Sequence, residues 1–368
     1  MKSFLSDAIS RAGSQNGDAD QMTYQEYSAA DQELLAVLES LKTNIKIIGC
    51  GGGGTNTIDR LAEVGIMGAE IYAANTDAQH LLAVRAPHKI LLGRRSTRGL
   101  GAGALPQVGE DAAKEVESEL RNSLADAHMV FVTAGMGGGT GTGSAPFVAK
   151  LAKDMGALTV AVTTLPFRGE GNLRRQNAER GLERLRNAAD TVIVIPNDKL
   201  LEICPRLALN AAFKVADEVL VRSIKGITEL ITKPGLVNLD FNDLKTIMKG
   251  AGVAMIGLGE AEEDDRVEVA VNEAINSPMI DVDISGATGA LVNVTGGDNM
   301  TISEAERVAE IIQSKISPDA RIIWGATVDP SLHDAIRVMV VITGVKSKNI
   351  IGPQRERASK VVDVDFIK

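Results

Sequence analysis

The sequence predicts an α/β protein in which a Rossmann-like, doubly wound parallel sheet is followed by a long helix and then by a smaller α+β region. Three observations carry that expectation. Apolar runs such as Met129-Val130-Phe131-Val132-Thr133-Ala134 and Leu158 to Thr163 alternate with amphipathic segments, as strands buried on both faces do. Two of these runs empty into glycine-rich turns that open helices. Residues 207–231 then give the longest helical period in the chain, and short strands and helices alternate from Ala251 onward.

The whole chain bounds what those elements can do. Its 368 residues suggest two domains, each with material for a core. A formal charge of -9 leaves no dominant basic face to neutralise nucleic-acid phosphates, so nucleic acid is not the expected partner. The two cysteines, Cys50 and Cys204, offer no zinc spacing, and without a signal peptide they fit a reducing, cytoplasmic compartment. No apolar run reaches the roughly 18 to 20 residues that a membrane-spanning helix needs, so no direct insertion into a membrane is expected.

Taken in order, residues 1–43 form an extension with seven acidic and three basic residues, in which Leu34, Leu35, Val37, Leu38 and Leu41 are spaced for a short packed helix. Asn44 to Ile48 is the first strand, and it runs into Gly49-Cys50-Gly51-Gly52-Gly53-Gly54-Thr55-Asn56, where Gly49, Gly51 and Gly54 satisfy the G-x-G-x-x-G dinucleotide pattern. The strand Glu70 to Ala74 ends in Asn75-Thr76-Asp77, which reads equally as a ribose contact and as an ordinary turn. After the strand Lys89 to Leu92, the small-residue loop Gly93 to Pro106 reads either as a phosphate cover or as a surface loop, and a helix follows from about Glu110 to Leu124.

The next turn carries the most chemistry. Gly135 to Ser144 holds six glycines and two threonines between a buried strand and a helix opening at Ala145. Stripped of bulk, such a turn presents backbone N–H groups and hydroxyls at the positive end of a helix, which suits a di- or triphosphate better than a flexible linker. A helix near Arg174 to Asn187 and the strand Thr191 to Ile195 complete this region. Beyond the long helix, Pro234-Gly235 marks a turn, and Asn238, Asp240 and Asp243 lie on a polar loop in which Asp243 reads as a helix-start residue. The C-terminal part offers strands near Val253 to Gly257, Ala290 to Val294, Ile322 to Gly325 and Arg337 to Thr343. Its helices run near Arg266 to Asn276 and Ser303 to Ser314, the latter begun by Ser303-Glu304, and it holds no catalytic constellation. Residues 346–360, with five basic and one acidic residue, read as a flexible linker before the apolar and acidic tail 361–368.

Two glycine loops in one sheet, neither ending in G-K-[ST], fit neither a dehydrogenase nor a P-loop enzyme. Together, Gly51-Gly52-Gly53-Gly54-Thr55-Asn56, Asn75-Thr76-Asp77, Arg98-Gly99-Leu100-Gly101-Ala102-Gly103-Ala104 and Gly137-Gly138-Gly139-Thr140-Gly141-Thr142-Gly143 resemble the FtsZ family of cell-division GTPases in the tubulin superfamily, over residues 44 to about 345. The resemblance implies a tubulin/FtsZ-like fold with a GTP-binding domain at 44–206, a central helix at 207–231, a C-terminal domain at 232–345 and a tail at 346–368. It further implies that Gly52 to Asn56 meet the diphosphate and Gly138 to Thr142 the phosphates, with Gly51, Gly137, Asn75, Ala102 and Gly103 completing the cradle. Glu170 and Arg174 match the ribose and base contacts and Asp217 the guanine contact, while Phe213 reads as stacking on the base or as core. Asn238, Asp240 and Asp243 match the catalytic loop offered to a neighbouring subunit's nucleotide, with Asp240 and Asp243 helping to hold Mg2+. Implied partners are other copies of the chain, head to tail, and a membrane-linked adaptor at 361–368, at a mid-cell division ring.

Three departures from the bacterial pattern stand out: Thr55 and Leu105 where glycine and asparagine are usual, and Asn242 within the catalytic loop. The N-terminal extension, the Thr191-Val192-Ile193-Val194-Ile195-Pro196-Asn197 stretch and the short tail give the chain a more archaeal than bacterial look. Competing readings are a non-dividing relative that shapes cells, against which the intact Asn238, Asp240 and Asp243 argue, and a nicotinamide dehydrogenase, which explains only Gly49 to Gly54. None of His80, His88, His128 and His333 sits in an evident catalytic loop.

Overall fold

In the computed structural model, which describes residues 43–345 apart from 204–207, 234, 238, 263 and 281–282, the apolar runs become strands. The extension before Thr43, the linker and tail from 346 onward, and Asn238 lie outside the described residues. Six parallel strands come first: β1 (Ile45–Cys50), β2 (Ala69–Asn75), β3 (His88–Leu91), β4 (Met129–Gly135), β5 (Leu158–Leu165) and β6 (Thr191–Pro196). Their spatial order is β3-β2-β1-β4-β5-β6, so the chain steps one way from β1 and returns to its other side at β4. The topological switch point therefore lies between β1 and β4, where open parallel sheets bind ligands at the carboxyl ends of the strands.

The crossovers are α1 (Gly51–Val64), α2 (Ala78–Ala83), α3 (Pro106–Glu115) with α4 (Glu117–Ser123), α5 (Thr140–Asp154) and α6 (Asn172–Ala188). Then come α7 (Asn197–Ile203) and the 24-residue α8 (Leu209–Thr232). The remaining elements are α9 (Phe241–Met248), β7 (Gly252–Ala261), α10 (Arg266–Ile275), β8 (Gly289–Gly296), α11 (Ile302–Lys315), β9 (Arg321–Val328) and β10 (Ile336–Thr343).

Alternate residues of one strand feed opposite faces of the sheet. Val130 and Val132 join Leu120, Val148 and Leu185 on one side, whereas Met129 and Phe131 join Ile58, Leu61, Leu220, Ile224 and Ile227 on the other. Both faces are thus covered, which is why the strands read as continuous apolar runs. Helix α8 lies on the second face through the apolar stripe that its period predicts.

Several boundaries differ from the sequence expectation. The first glycine run is the opening turn of α1 rather than a loop, and α5 begins at Thr140, five residues before Ala145. Glycine is a poor helix former, yet a side chain at Gly143 would collide with the backbone of Pro106 and Glu110 on α3, so tertiary close packing overrides propensity. The helix expected over 110–124 is two helices, broken at Val116. Helix α11 is capped by Thr301, not Ser303: the Thr301 hydroxyl accepts from the Glu304 N–H, and the Glu304 carboxylate accepts from the Thr301 N–H at 2.8 Å. The parallel sheet also does not stop at β6. Thr191, Val192 and Ile193 pair in parallel with Gly252, Val253 and Ala254 of β7, and β10, β8 and β9 follow in one ten-stranded sheet.

The contact at Gly143 yields a prediction. Gly143→Ala is expected to destabilise the protein by about 2 kcal/mol, the usual cost of forcing a methyl group into packed backbone. Gly138→Ala, where a side chain would meet open space, should leave the thermal midpoint unchanged; equal midpoints for the two variants would disprove this packing account.

Candidate active site at the sheet's switch point

Helices α1 and α5 both begin at the carboxyl ends of their strands, on either side of the switch point. Neither N-terminus has a side-chain cap, and neither first turn carries an acidic residue. Their free N–H groups and the positive ends of both helices are therefore directed at the same place, a strong setting for an anion. That place is a cavity of about 710 Å³. Gly52, Gly53 and Asn56 line it from α1, and Gly138, Gly139, Thr140 and Gly141 from the second glycine turn.

The loop over residues 93–105 supplies Leu100, Gly101, Ala102 and Gly103 to the wall. It is tied down rather than left as a free surface loop. The Gly139 N–H donates to Gly103 O at 2.8 Å, the Gly101 N–H to Thr76 O at 3.1 Å, and Asn177 Nδ2 to Ala104 O at 3.0 Å. The hydroxyls of Thr76 and Thr140 lie 2.6 Å apart and join this loop region to the start of α5. Leu105, at the N-cap of α3, is exposed and makes no side-chain capping bond.

Five residues expected in the cradle do not line the cavity. Gly51 and Gly54 are close-approach positions: at Gly51, where φ is +71°, a Cβ would lie 2.5 Å from Gly141 N, and at Gly54 it would strike Thr133 O. The Thr55 hydroxyl is buried and donates to Gly51 O at 2.8 Å. Thr142 Oγ1 accepts from the Gly137 N–H at 2.8 Å, which holds the second turn in shape. They build the wall from behind.

The other end of the cavity is suited to a sugar and a base. Asn75 lines it and is 3% exposed, with Nδ2 3.4 Å from His80 Nδ1, whereas Asp77 serves as the cap of α2 by accepting from the His80 N–H. The turn after β2 is thus both ligand-facing and a helix start. Arg174 Nη1 donates to Glu170 Oε2 at 2.5 Å, and Glu170 Oε1 accepts from the Phe167 N–H at 2.9 Å, so both side chains are pre-positioned on the wall. Phe213 is not core: it is 38% exposed, lines the cavity and packs edge-to-face on Phe167, with centroids 5.2 Å apart.

Sequence reasoning missed Asn197. It lines the cavity at 4% exposure, and its Oδ1 is buried without a hydrogen-bond partner. A buried amide oxygen left unpaired is costly unless a ligand completes it. The available signal was its position directly after β6, at the carboxyl edge of a parallel sheet. His80 was also passed over, because it sits on α2 and not in a loop; its Nε2 lies 2.9 Å from Asn56 Oδ1.

Asp240 and Asp243 stand apart from this cavity. Asp240 is the N-cap of α9, accepting from the Asn242 N–H at 3.0 Å, and Asp243 lies in that helix's first turn; both are exposed. The helix-start residue is therefore Asp240, three positions before the one expected.

Asp217 faces the cavity from α8 with its side chain 19% exposed. Burial pushes its pKa up to about 6, against the opposing pull of the Arg60 guanidinium 3.9 Å away. A carboxylate whose folded pKa is raised favours folding below its unfolded pKa, and that advantage is lost as pH rises through about 6. Asp217→Asn is accordingly expected to match the wild type at the acid end and to raise the thermal midpoint of the nucleotide-free protein at pH 7.5, with ~3 kcal/mol as the ceiling. A difference that stays constant across pH would refute desolvation as the cause.

Comparison with known proteins agrees with this geometry. Residues 44–205 match the GTPase domain of the tubulin/FtsZ family, and residues 252–346 match the C-terminal domain of the FtsZ family. The cell division protein FtsZ 1 of Archaeoglobus fulgidus is 55% identical over 368 residues, covering all of both chains. The cell division protein FtsZ of Haloferax mediterranei is 57% identical over 92% of this chain and 91% of its own. Among solved structures, an empty FtsZ dimer from M. jannaschii superposes with a TM-score of 0.83 at 54% identity, covering 86% of this chain and 92% of that one. GDP-bound CetZ1 from Haloferax volcanii shares the fold at a TM-score of 0.74 and 22% identity, over 84% of this chain and 96% of its own. Two family domains and full-length relatives converge on one assignment: this chain is a GTPase belonging to the FtsZ family.

Proposed function

We propose that this chain binds GTP in the switch-point cavity and polymerises head to tail, with hydrolysis completed where the Asp240–Asp243 loop of one subunit meets the cavity of the next. One observation carries the reading. Phe213 and Asp217 border the cavity from the first half of α8, whereas Asp240 and Asp243 follow its far end, roughly 20 Å further along at 1.5 Å per residue. Nucleotide pocket and exposed carboxylates thus lie at opposite ends of one subunit, and a heterologous contact that joins them generates open filaments.

In this reading the N-termini of α1 and α5 hold the phosphates. Glu170 accepts ribose hydroxyls, with Arg174 beside it, and Phe213 stacks on the base. The Asp217 carboxylate accepts from the guanine N1–H and amine, and Asn197 Oδ1 takes a further base donor. Asp243, Asp240 and Asn238 orient the attacking water. Among the described residues no group of three or more His, Cys, Asp or Glu can hold a metal alone. Mg2+ would accordingly be held by phosphate oxygens with the help of Asp240 and Asp243, where it neutralises developing charge.

Residues 44–206, 207–231 and 232–345 act as nucleotide domain, central helix and C-terminal domain. No described helix is long and apolar enough to cross a membrane. The tail 361–368 is proposed to dock on a membrane-linked adaptor, which places the filaments in a cytokinetic ring at mid-cell. The division names of the Archaeoglobus and Haloferax relatives and the dimer from M. jannaschii support this assignment.

GTP turnover per molecule, measured with magnesium over a range of protein concentrations, tests it. Specific activity should rise steeply above a threshold, and Asp243→Ala should bind GTP yet hydrolyse it at least ~100-fold more slowly. Asp240→Ala is the poorer probe, since losing the cap costs α9 about 1 kcal/mol. Specific activity that does not change on dilution would mean that the site is complete within one subunit and would end the shared-site reading.

A further inference from the structure

Asp217 is not positioned by its own helix alone. Arg60 reaches it from α1, the helix whose first turn lines the phosphate end of the cavity. Arg60 Nε lies 3.9 Å from Asp217 Oδ2, and Arg60 Nη1 lies 3.7 Å from Glu218 Oε2. The series continues beyond Arg60: Arg222 Nε donates to Glu218 Oε1 at 2.9 Å, Arg222 Nη1 stands 3.6 Å from Glu260 Oε2 on β7, and Arg337 Nε on β10 donates to Glu260 Oε2 at 2.7 Å. Six alternating charges thus run from the cavity wall to the antiparallel strands.

Arg60 itself does not line the nucleotide cavity. It borders a separate groove of about 450 Å³ with Lys214, Glu218 and Arg222 over Val215, Val219 and Leu258. Its guanidinium is therefore behind Asp217 as seen from the ligand. The other charged or titratable groups on the cavity wall are Asp77, His80, Glu170 and Arg174, and Lys214 and Glu218 flank Asp217 on its own helix. Arg174 is engaged by Glu170 at 2.5 Å, and the ion pair that Asp217 makes is with Arg60.

We propose that Arg60 is a positioning residue for guanine recognition, keeping the Asp217 carboxylate ionised and aimed into the cavity without touching the nucleotide. The proposal rests on Asp217 meeting the guanine base. Burial works against the ionised form of Asp217 and the Arg60 charge works for it. A protonated Asp217 offers one acceptor fewer to the guanine N1–H and amine, so removing Arg60 makes recognition fail at pH values where the wild type still succeeds.

The test measures equilibrium binding of GTP and of ITP, which lacks the guanine amine, to the full chain between pH 5.5 and 8.0. Arg60→Met, Arg60→Lys and Asp217→Asn are compared with the wild type, and the ratio to wild type cancels the titration of the nucleotide's own phosphates. Arg60→Met should lose on the order of tenfold in GTP affinity near pH 6.5, recover most of it by pH 8.0, and prefer GTP to ITP less at the lower pH. Arg60→Lys, which keeps the charge, should stay close to wild type, and Asp217→Asn should lose affinity at every pH. A profile for Arg60→Met that superposes on wild type, or a loss equal at all pH values, overturns the positioning role. Unchanged GTP-over-ITP preference in Asp217→Asn overturns the guanine assignment itself, and is read from that variant alone.

Discussion

The structure depends on the close approach of two helix N-termini at the switch point of the sheet. A Cβ on Gly51 would lie 2.5 Å from Gly141 N, and one on Gly141 would lie 2.9 Å from Gly135 O and 3.0 Å from Cys50 O. Only bare backbone fits there, and bare backbone leaves its N–H groups free. Packing and anion binding are thus one constraint: the feature that lets β1, β4, α1 and α5 close together is the feature that lines the cavity with donors. Cys50, buried beneath it with its thiol pushed up to about 12, belongs to the packing and not to the chemistry.

The strands were legible because burial on both faces makes them continuous apolar runs, and the two glycine turns stood out because their repeats strip the backbone of bulk. What escaped reading has a physical origin in each case. Intrinsic propensity argues against four glycines opening a helix, yet the tight contacts of α1 and α5 are tertiary and outvote it. Asn197 looks like any turn residue in the sequence; only its buried, unpaired Oδ1 marks it as ligand-facing. Asp240 and Asp243 send the same helix-start signal three residues apart, and geometry alone separates the cap from the free carboxylate. The join of β6 to β7 rests on three residue pairs, too few to leave a pattern in sequence.

Polar groups at the proposed base end of the cavity are engaged with one another before any ligand arrives. Glu170 is shared between Arg174 and a backbone N–H, and Asp217 is weighed between burial and Arg60. Preorganisation of this kind spends some folding stability on a site whose polar groups are already aimed. It also ties α8, which carries Asp217, to α1, whose first turn lines the proposed phosphate end.

Among the described residues the ten-stranded sheet ends at β3 and β9, and β9 is paired beyond β8 through a bridge between Ala326 and Val237. Strand edges present unpaired backbone groups that invite indiscriminate pairing with other chains. Both edges are defended: β3 is four residues long and carries exposed His88 and Lys89, and β9 begins with exposed Arg321. In the head-to-tail filament proposed above, association along one axis requires refusal along the others, and short, charged margins favour that refusal. Directionality would in this sense be set as much by where the sheet ends as by the two faces proposed to join.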